Sequence, residues 1–319
     1  MSHVLMSTSW TWNLGEPDDL GEVTLTLLRR RSDWGLSRAA TRRGMLAYAA
    51  SLAWRAGAYD AVVLSTVGVE AALTALLIKV RSRSTRVVVF DFLAPRRELP
   101  RSLASLLFRG IDRFLVIRSG DVAMLARRFG VPRERCVFVP WPVRADQVPA
   151  DVGEDGYVYS AGWAHRDWRT LVAALDEQRL VAKIAPGRDV DVPERSRGRV
   201  EVVEMPPPEV GRSLAARASV VAVVMEETDL PAGPLVLLDA MAAGKAVVAT
   251  AVNGTRDYVR DGETALVVPP GDAAALGAAL TRLIADAELR SSLGRAARAE
   301  VLERCSLERF WGEVAAQCR

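Results

Sequence analysis

The sequence predicts an α/β protein with two doubly wound domains in tandem, each a mostly parallel sheet covered by helices on both faces. Three observations indicate this fold class. Short apolar, often β-branched runs alternate with longer helical stretches, which is the pattern of consecutive βαβ units. The alternation occurs twice and is interrupted at 139–156 by a segment rich in proline and acid. The 319 residues suffice for two domains of ordinary size, at roughly 150 residues each.

The first half of the chain contains four runs that read as short buried strands. They are AVVL, RVVVF, RFLVI and CVFV, at 61–64, 86–90, 113–117 and 136–139. The helical stretches of this half are predicted at 38–56, 69–80, 100–110 and 121–129. We expect these elements to form a first domain over 1–142.

The second half restarts the same alternation after the proline-rich segment. Its strands are predicted at 157–162, 181–185, 199–205, 220–224, 246–250 and 265–269. Helices are predicted at 167–177, within the run that begins at Gly233, and in one long stretch capped by Asp272. We expect a second domain over 143–305, followed at 306–319 by a last amphipathic helix.

Composition limits the classes of function. Half of the residues are hydrophobic and 25% are charged, and no apolar run reaches the length of a membrane span, so a cytoplasmic protein is expected. The three cysteines lack the spacing of a zinc site and their odd number argues against a disulfide framework. Residues 1–142 hold 21 Lys and Arg against 12 Asp and Glu, whereas the remainder holds 21 against 27. No nucleic-acid motif accompanies the basic half.

One carboxylate stands inside an otherwise apolar stretch, GPLVLLDAMAAGKAVVAT at 233–250. Gly233 and Pro234 fit the start of a helix, whose first amides and dipole form a site for an anion. Asp239 lies about one and a half turns further along. It can therefore accept hydrogen bonds from sugar hydroxyls attached to a phosphate at that helix start. A structural ion pair with an arginine is the alternative.

Three segments resemble glycosyltransferase family 4, the retaining nucleotide-sugar enzymes with the GT-B fold. GPLVLLDAMAAGKAVVATAVNGTRDYVRDGETALVVPPGD is similar to the family's donor-site region. DRFLVIRSGDVAMLARRFGVPRERCVFVPWPV resembles the end of its N-terminal domain, and YVYSAGWAHRDWRTLVAAL the first strand, loop and helix of its donor domain. The resemblance covers about 86–319. It implies two Rossmann-like domains that face a central cleft. The terminal SLERFWGEV is placed like the family's last helix, which implies that the helix at 306–319 crosses back to the N-terminal domain.

The resemblance also implies a reaction and its residues. A sugar would move from a nucleotide diphosphate to an acceptor hydroxyl with retention of configuration and without a metal or other cofactor. Asp239 takes the place of the acid that binds the ribose, and Arg166 that of a cation beside the departing diphosphate. The remaining donor-site residues on this basis are Gly162, Arg169, Lys183, Gly233, Leu235 and Val236.

Two departures from the family pattern bear on activity. The first acid of the family's pair would fall at Pro231, although Glu226, Glu227 and Asp229 lie nearby. Where many members carry a histidine after a strand of the first domain, this chain has Phe90 followed by Asp91. The alternative to an enzyme is therefore a degenerate GT-B protein that binds nucleotide or glycan, or assists a partner, without turnover. A nucleotide-sugar epimerase of the same fold is disfavoured because only two histidines are present.

Several further residues follow predicted strands and are candidates on that ground. His165 lies in the expected phosphate loop, where donor contact and an ordinary surface position are both open. Asp91 could orient the acceptor hydroxyl or simply form a turn. Residues of similar standing are Ser65, Thr66, Gly68, Arg118 and Ser119. The DVD triplet at 189–191 follows PGR instead of ending an apolar strand, so we assign it to a solvated loop and predict no metal site.

The arginine-rich segments of the first half allow two interpretations. APRRELPRSLASLLFRGIDR and RRRSDWGLSRAATRRG mix arginine with leucine and tryptophan, as interfacial helices do. Peripheral contact with an anionic membrane, at its inner face, is one interpretation; a solvated basic surface is the other, and charge runs more often form such surfaces. The expected partners are a nucleotide sugar and a sugar, lipid-linked or small-molecule acceptor, with no nucleic acid.

Overall fold

The chain forms two compact units in the computed structural model. The model describes residues 2–8, 23–29, 38–65, 68–92, 100–149, 152–228 and 234–319. One unit comprises Met1–Pro140 with Leu307–Arg319, and the other comprises Trp141–Ser306. The last segment of the chain thus belongs to the same unit as the first.

The N-terminal unit is built on a six-stranded sheet of order β2-β1-β3-β4-β5-β6. Its strands are β1 (Ser2–Thr8), β2 (Val23–Arg29), β3 (Ala61–Ser65), β4 (Arg86–Phe90), β5 (Arg113–Val116) and β6 (Cys136–Phe138). Every pairing in the sheet is parallel. The four predicted strands are present, and β1 and β2 are additional strands that the sequence reading did not identify.

Five helices of the described residues belong to this unit. They are α1 (Arg38–Ala56), α2 (Gly68–Arg81), α3 (Arg101–Phe108), α4 (Gly120–Phe129) and, from the end of the chain, α10 (Leu307–Cys318). The amphipathic pattern of α10 buries Phe310 and Trp311. Phe310 meets Phe90 of β4 with ring centroids 5.1 Å apart, so α10 completes the core of the N-terminal unit.

The C-terminal unit has a second six-stranded parallel sheet, of order β12-β11-β10-β7-β8-β9. Its strands are β7 (Val158–Gly162), β8 (Ala182–Pro186), β9 (Val200–Val202), β10 (Val220–Val223), β11 (Ala246–Thr250) and β12 (Leu266–Val268). All six were predicted. The two sheets confirm the doubly wound α/β class.

The helices of the C-terminal unit begin at acids or prolines that suit a first turn. They are α5 (Trp168–Glu177), α6 (Pro208–Arg217), α7 (Leu235–Ala242), α8 (Ala273–Ala285) and α9 (Ala287–Arg304). The long helical run predicted after Asp272 is present as two helices, because Asp286 ends α8 and its carboxylate caps α9 by accepting from the Leu289 amide at 2.9 Å. Helix α6 was not predicted. Within the described residues no helix combines the length and hydropathy needed to cross a membrane.

The proline-rich segment expected to be a linker is largely held by the C-terminal unit. Trp141 and Val148 are buried. The Glu154 carboxylate pairs with Lys245 at 3.0 Å and Arg290 at 2.9 Å. Its lack of a helical or strand period therefore reflects an irregular but anchored path.

Strand order locates the sites that this fold offers. In the C-terminal sheet β7 lies between β10 and β8, so the connections leaving β7 and β10 diverge to opposite sides. Parallel sheets bind ligands at the carboxyl ends of strands where such a reversal occurs. A ligand site is therefore expected at the loops after Gly162 and after Val223.

Candidate functional site

The loops that follow β7 and β10 are joined to each other. Arg166 and Met225 form an antiparallel bridge, and the Glu226 amide donates to the His165 carbonyl at 2.9 Å. His165 has a φ of 52°, a left-handed conformation that is costly for a residue with a side chain. The junction thus holds Arg166 in place at the expense of local strain at His165.

Arg166 is a buried cation without a counter-ion in the described part of the chain. Its side chain is 6% exposed, and its Nε donates to the Ala161 carbonyl at 2.9 Å. Neither terminal nitrogen has a protein partner within the described residues. Burial lowers the pKa of the guanidinium to about 10, so the group stays charged at neutral pH. A buried charge of this kind is stabilised when an anion binds beside it.

Gly162 leaves space for the Arg166 side chain because it lacks a Cβ. It ends β7 with a φ of 135°, and a Cβ at this position would lie 2.6 Å from the Arg166 Nε. Any other residue would displace the guanidinium. Gly162, predicted as a donor-site residue, therefore leaves space for Arg166 at the carboxyl end of the strand.

Trp163 is a feature that the sequence reading missed. Its indole is 67% exposed and lies on the backbone of Gly187, where a Cβ would be 2.2 Å from ring carbons. The Gly187 amide donates to the Gly162 carbonyl at 3.3 Å. The result is an exposed flat aromatic surface in the loop that also carries Arg166. The available signal was a tryptophan directly after the strand predicted at 157–162 and a glycine two residues after the strand predicted at 181–185.

Helix α7 begins at Leu235, after Pro234, and has no side-chain cap. The amides of Leu235 and Val236 lie in its first turn, where no intrahelical acceptor exists. They are available to an anion, as predicted for the diphosphate. Gly233 lies outside the described residues.

Asp239 is four residues into α7, and no partner for its carboxylate occurs in the described ranges. Burial raises the pKa of this half-buried carboxyl to about 6, against the opposing effect of Arg212. Arg212, on α6, donates from Nε to the Gln147 carbonyl at 2.9 Å. The alternative of a structural ion pair therefore lacks a partner among the residues described. Asp239 remains a carboxylate able to accept hydrogen bonds from a ligand.

The two other donor-site candidates, Arg169 and Lys183, lie in different surroundings. Arg169 is exposed in the first turn of α5, close in sequence to the Arg166 loop. Lys183 is the second residue of β8, and its Nζ pairs with Glu201 at 3.2 Å. Because parallel strands rise about 3.3 Å per residue, this places Lys183 roughly 10 Å before the carboxyl edge. The structure does not bring Lys183 together with Arg166, and its charge is already paired.

The candidates near the missing acid are only partly described. Glu226 and Glu227 are exposed, and Glu227 pairs with Arg256 at 2.9 Å. Asp229 and Pro231 lie outside the described residues. In the DVD triplet both aspartates are exposed in the loop after β8. Across the described ranges no group of three or more His, Cys, Asp or Glu side chains is arranged to hold a metal ion.

A second polar cluster follows the strands of the N-terminal unit. Asp91 comes directly after β4 with a φ of 49°, and its amide donates to the Leu115 carbonyl at 3.0 Å. After β5, Arg118 pairs with Asp121 at 2.6 Å in a buried ion pair. Burial raises the pKa of Asp91 to about 6; Arg118 opposes this shift and Asp121 adds to it. The cluster offers a carboxyl group poised near neutral pH.

The remaining candidates of this unit are less informative. Ser65 is buried at the end of β3, Gly68 begins α2 and Ser119 precedes α4. Thr66 lies outside the described residues. Phe90, which stands where many relatives have histidine, points into the core against Phe310 and offers no group to a ligand.

Comparison with known proteins identifies part of the chain by sequence. Residues 206–300 match the family described as Glycosyl transferases group 1. A phosphatidyl-myo-inositol mannosyltransferase of Mycobacterium leprae is 43% identical over 83 residues, which are 26% of this chain and 21% of that protein. An exopolysaccharide phosphotransferase of Streptomyces coelicolor is 43% identical over 83 residues, 26% of this chain and 9% of that protein. Each of these two matches thus covers a minor part of this chain and of the relative.

Solved structures match the chain over nearly its whole length. Sucrose-phosphate synthase from Thermosynechococcus elongatus has a TM-score of 0.74 at 17% identity, covering 99% of this chain and 98% of that one. Anabaena HepE in complex with UDP has a TM-score of 0.71 at 14% identity, covering 99% of both chains. The chain has the GT-B fold. Within it, the glycosyl transferases group 1 region includes α7 and Asp239 but begins after the Arg166 loop.

Proposed function

We propose that this GT-B chain transfers a sugar from a nucleotide diphosphate donor to an acceptor hydroxyl, with retention of configuration. The observation that carries the proposal is Arg166, a buried cation without a counter-ion at the carboxyl end of β7. A positive charge held in this way stabilises a diphosphate as it departs, because it interacts most strongly with charge that develops in the transition state. The group 1 match supports the same reaction class.

The donor would bind along the carboxyl edge of the C-terminal sheet. The first amides of α7, at Leu235 and Val236, would hold the diphosphate, together with Gly233. The Asp239 carboxylate would accept hydrogen bonds from the ribose hydroxyls. HepE has been solved in complex with UDP-glucose, and this precedent supports a nucleotide sugar as donor. The base and sugar are left open.

The proposed step needs no protein base at the sugar. The bond between the anomeric carbon and the diphosphate oxygen breaks, and the acceptor oxygen bonds to the same face of that carbon. The acceptor's proton passes to the departing diphosphate oxygen. Arg166 and the α7 amides would neutralise the leaving group, so the step as proposed uses no metal ion.

We propose that the N-terminal unit binds the acceptor, a sugar, a lipid-linked glycan or a small molecule. Asp91 would accept a hydrogen bond from the reacting hydroxyl and orient it. Its carboxyl follows β4, as ligand-binding groups of parallel sheets do. The buried Arg118–Asp121 pair beside it would hold its surroundings rigid. Peripheral contact with an anionic membrane, which would suit a lipid-linked acceptor, is part of this proposal.

A chain that binds donor or glycan without turnover is the second candidate. The position of Phe90 favours it, because this side chain packs on Phe310 and cannot contact a donor sugar. The sequence also has Pro231 in place of an acid. Both functions would require Asp239 to bind the donor. Only transfer would also require Arg166 to stabilise the departing diphosphate.

A donor screen separates the two candidates. The full chain is incubated with a panel of nucleotide sugars, and mass spectrometry follows their slow hydrolysis or transfer to added acceptors. Transfer is supported if one donor is consumed and both Asp239→Ala and Arg166→Ala abolish its consumption. A donor that raises the melting temperature but is never consumed supports binding alone. If no donor is consumed and none raises the melting temperature, sugar transfer and donor binding both fall, and glycan binding alone is left of the second candidate.

A further inference from the structure

Three neighbouring helices of the N-terminal unit expose large apolar side chains to solvent. Val80 is 86% exposed and Trp54 is 76% exposed. The set, called here the α1–α3 surface, consists of Trp54 on α1, Val69, Leu73, Leu77 and Val80 on α2, and Leu103 and Leu106 on α3. It contains most of the large exposed apolar side chains in the described part of the molecule.

The α2 residues of this surface form a stripe that the core does not use. Residues 69, 73, 77 and 80 recur at the spacing of one helix face. The opposite face of α2 is also apolar and fully buried, with Ala71, Ala75 and Ile78 in the core. Helix α2 is therefore apolar on both faces, whereas a helix at a water-facing surface has one polar face.

The three helices present their exposed residues together. Leu52 of α1, Ala75 of α2 and Phe108 of α3 share one buried cluster, and α2 packs against both α1 and α3. The Arg81 guanidinium lies 5.6 Å from the centre of the Trp54 ring, which joins the end of α2 to α1. The exposed residues are thus parts of one surface.

Positive charge surrounds this surface. The sequences of the three helices contain one acid, Glu70. Arginines are exposed on and beside the helices at positions 55, 81, 83, 101 and 109. Apolar side chains that insert into acyl chains, with arginines that meet anionic headgroups, are the combination found in interfacial membrane binding. Tryptophan is the side chain most suited to the depth between the two.

We propose that the α1–α3 surface docks on an anionic lipid bilayer. The charge complementarity selects this partner over a neutral membrane. Such a surface would bring the chain to a lipid-linked acceptor, and this link to the acceptor rests on the proposed function. The docking itself does not. It extends the sequence prediction, because Leu103 and Leu106 lie in one of the two arginine-rich segments, whereas Trp54 and the α2 stripe lie outside both.

The test measures co-sedimentation of the full chain with vesicles. Vesicles of phosphatidylglycerol mixed with phosphatidylcholine are compared with phosphatidylcholine alone, at low salt and at about 0.5 M NaCl. We expect binding to the anionic vesicles at low salt, with partial loss at high salt. A double variant, Leu73→Glu with Leu77→Glu, should weaken binding at least about tenfold, since it puts charge into the inserted face.

The matched control adds the same charge elsewhere. Val181→Glu with Val202→Glu changes two exposed valines of the C-terminal unit and should bind vesicles as the unmodified chain does. Both double variants should keep the melting temperature of the unmodified chain, because all four positions are solvent-exposed. A Trp54→Ala variant should lose the part of the fluorescence blue shift that vesicles cause in the unmodified chain.

Three results would overturn the proposal. They are absence of vesicle binding at low salt, equal loss in the two double variants, and a lipid-free dimer that Leu73→Glu with Leu77→Glu dissociates. The last would assign the surface to a second copy of the chain. Vesicle binding by an Arg166→Ala variant, measured alongside, separates this docking from sugar transfer: either can fail while the other stands.

Discussion

Arg166 combines burial with the absence of a counter-ion in the described chain, two properties that an ordinary surface arginine lacks. Its position depends on Gly162, which leaves space for the guanidinium, and on the bridge to Met225. Such an arrangement is unfavourable in the free protein and favourable once an anion is present. The cost of burying this charge therefore predicts how a neutral side chain at position 166 changes stability and activity.

We expect Arg166→Met to lower kcat by a factor of about 10² to 10³ while leaving the chain as stable as before or more stable. Loss of one group that stabilises transition-state charge has about this effect, and a neutral side chain removes the cost of burying the charge. Steady-state kinetics and thermal unfolding measure the two effects. Arg197→Met, at an exposed position in the same unit, is the control. A large loss of stability with kcat unchanged would make Arg166 a structural residue.

Trp163 and Gly187 should act as one unit in ligand binding. Trp163→Ala should weaken binding of the nucleotide sugar roughly tenfold, as loss of one stacking partner does, and Trp163→Phe should retain most of the affinity. Gly187→Ala should resemble Trp163→Ala, because the new Cβ would displace the indole. Calorimetry with nucleotide and with nucleotide sugar measures the effect, with Trp54→Ala as control. Unchanged affinity in both variants would leave the indole without this role.

Asp239 should make stability depend on pH in a defined direction. Burial raises the pKa of this carboxyl from 3.8 to about 6, so between these values the folded chain holds a proton that the unfolded chain has released. Stability conferred by protonation is thus lost as pH rises through this window. Asp239→Asn should raise the unfolding free energy by about 1 to 2 kcal/mol at neutral pH, allowing for partial exposure, and change it little near pH 4.

The same variant should bind nucleotide at least about tenfold more weakly, because an amide replaces a charged acceptor for the ribose hydroxyls. Urea unfolding at several pH values and calorimetry with UDP give the two readouts. Asp189→Asn, in an exposed loop, is the control for a general effect of charge. A variant that is less stable at neutral pH, with nucleotide binding intact, would show that Asp239 has a structural partner.

Strand β11 determines the path by which β10 reaches the candidate site. Thr250, at the end of β11, is buried, and its Oγ1 accepts from the Met225 amide at 2.9 Å and donates to the Met225 carbonyl at 3.2 Å. Met225 in turn carries the bridge to Arg166. One hydroxyl group therefore links two strands to the loop that positions the cation.

Thr250→Val should lower the unfolding free energy by about 1 to 3 kcal/mol, since the substitution keeps the volume but leaves two buried backbone groups without a partner. Donor affinity should fall as well, because the Arg166 loop loses its support. Chemical unfolding and calorimetry measure both effects. Thr281→Val, on an exposed position of α8, should change neither. Weakened unfolding with unchanged donor affinity would mean that the loop does not depend on this link.

The two units differ in charge as well as in position along the chain. The excess of positive charge in 1–142 includes the exposed arginines around the α1–α3 surface, whereas the remainder is net acidic. Helix α10 is the last element of the chain, yet it contributes to the N-terminal core. The stability of that unit should thus depend on residues far removed in sequence.

We expect Phe310→Ala to destabilise the N-terminal unit by about 3 to 5 kcal/mol, the usual cost of deleting a buried aromatic ring. Hydrogen exchange followed by mass spectrometry should show lost protection in β3 and β4, with smaller changes in β10 and β11. Val210→Ala, an exposed position of α6, provides the comparison. Equal loss of protection in both sheets would show that the chain unfolds as one cooperative unit.

The amino-acid sequence by itself determined ten of the twelve strands that the structure describes, the doubly wound class and the candidate acid Asp239. These depend on the period of neighbouring residues, which a single chain displays directly. Strands β1 and β2 were not predicted, because their segments lie in a region without a clear alternation of strand and helix patterns. The division of the final helical run at Asp286 was not predicted either, although an aspartate before a helix is a recognisable cap.

Only the tertiary structure decided how the candidate groups are paired. Arg166 and Lys183 look alike in sequence, as basic residues near strands, but Lys183 is paired with Glu201 and Arg166 has no acid beside it in the described chain. The Trp163 surface exists because Gly187, distant in sequence, lies under the indole. The exposed face of α2 resembles its buried face in composition. Burial and pairing arise from contacts between segments far apart in the chain, and local periodicity carries no information about them.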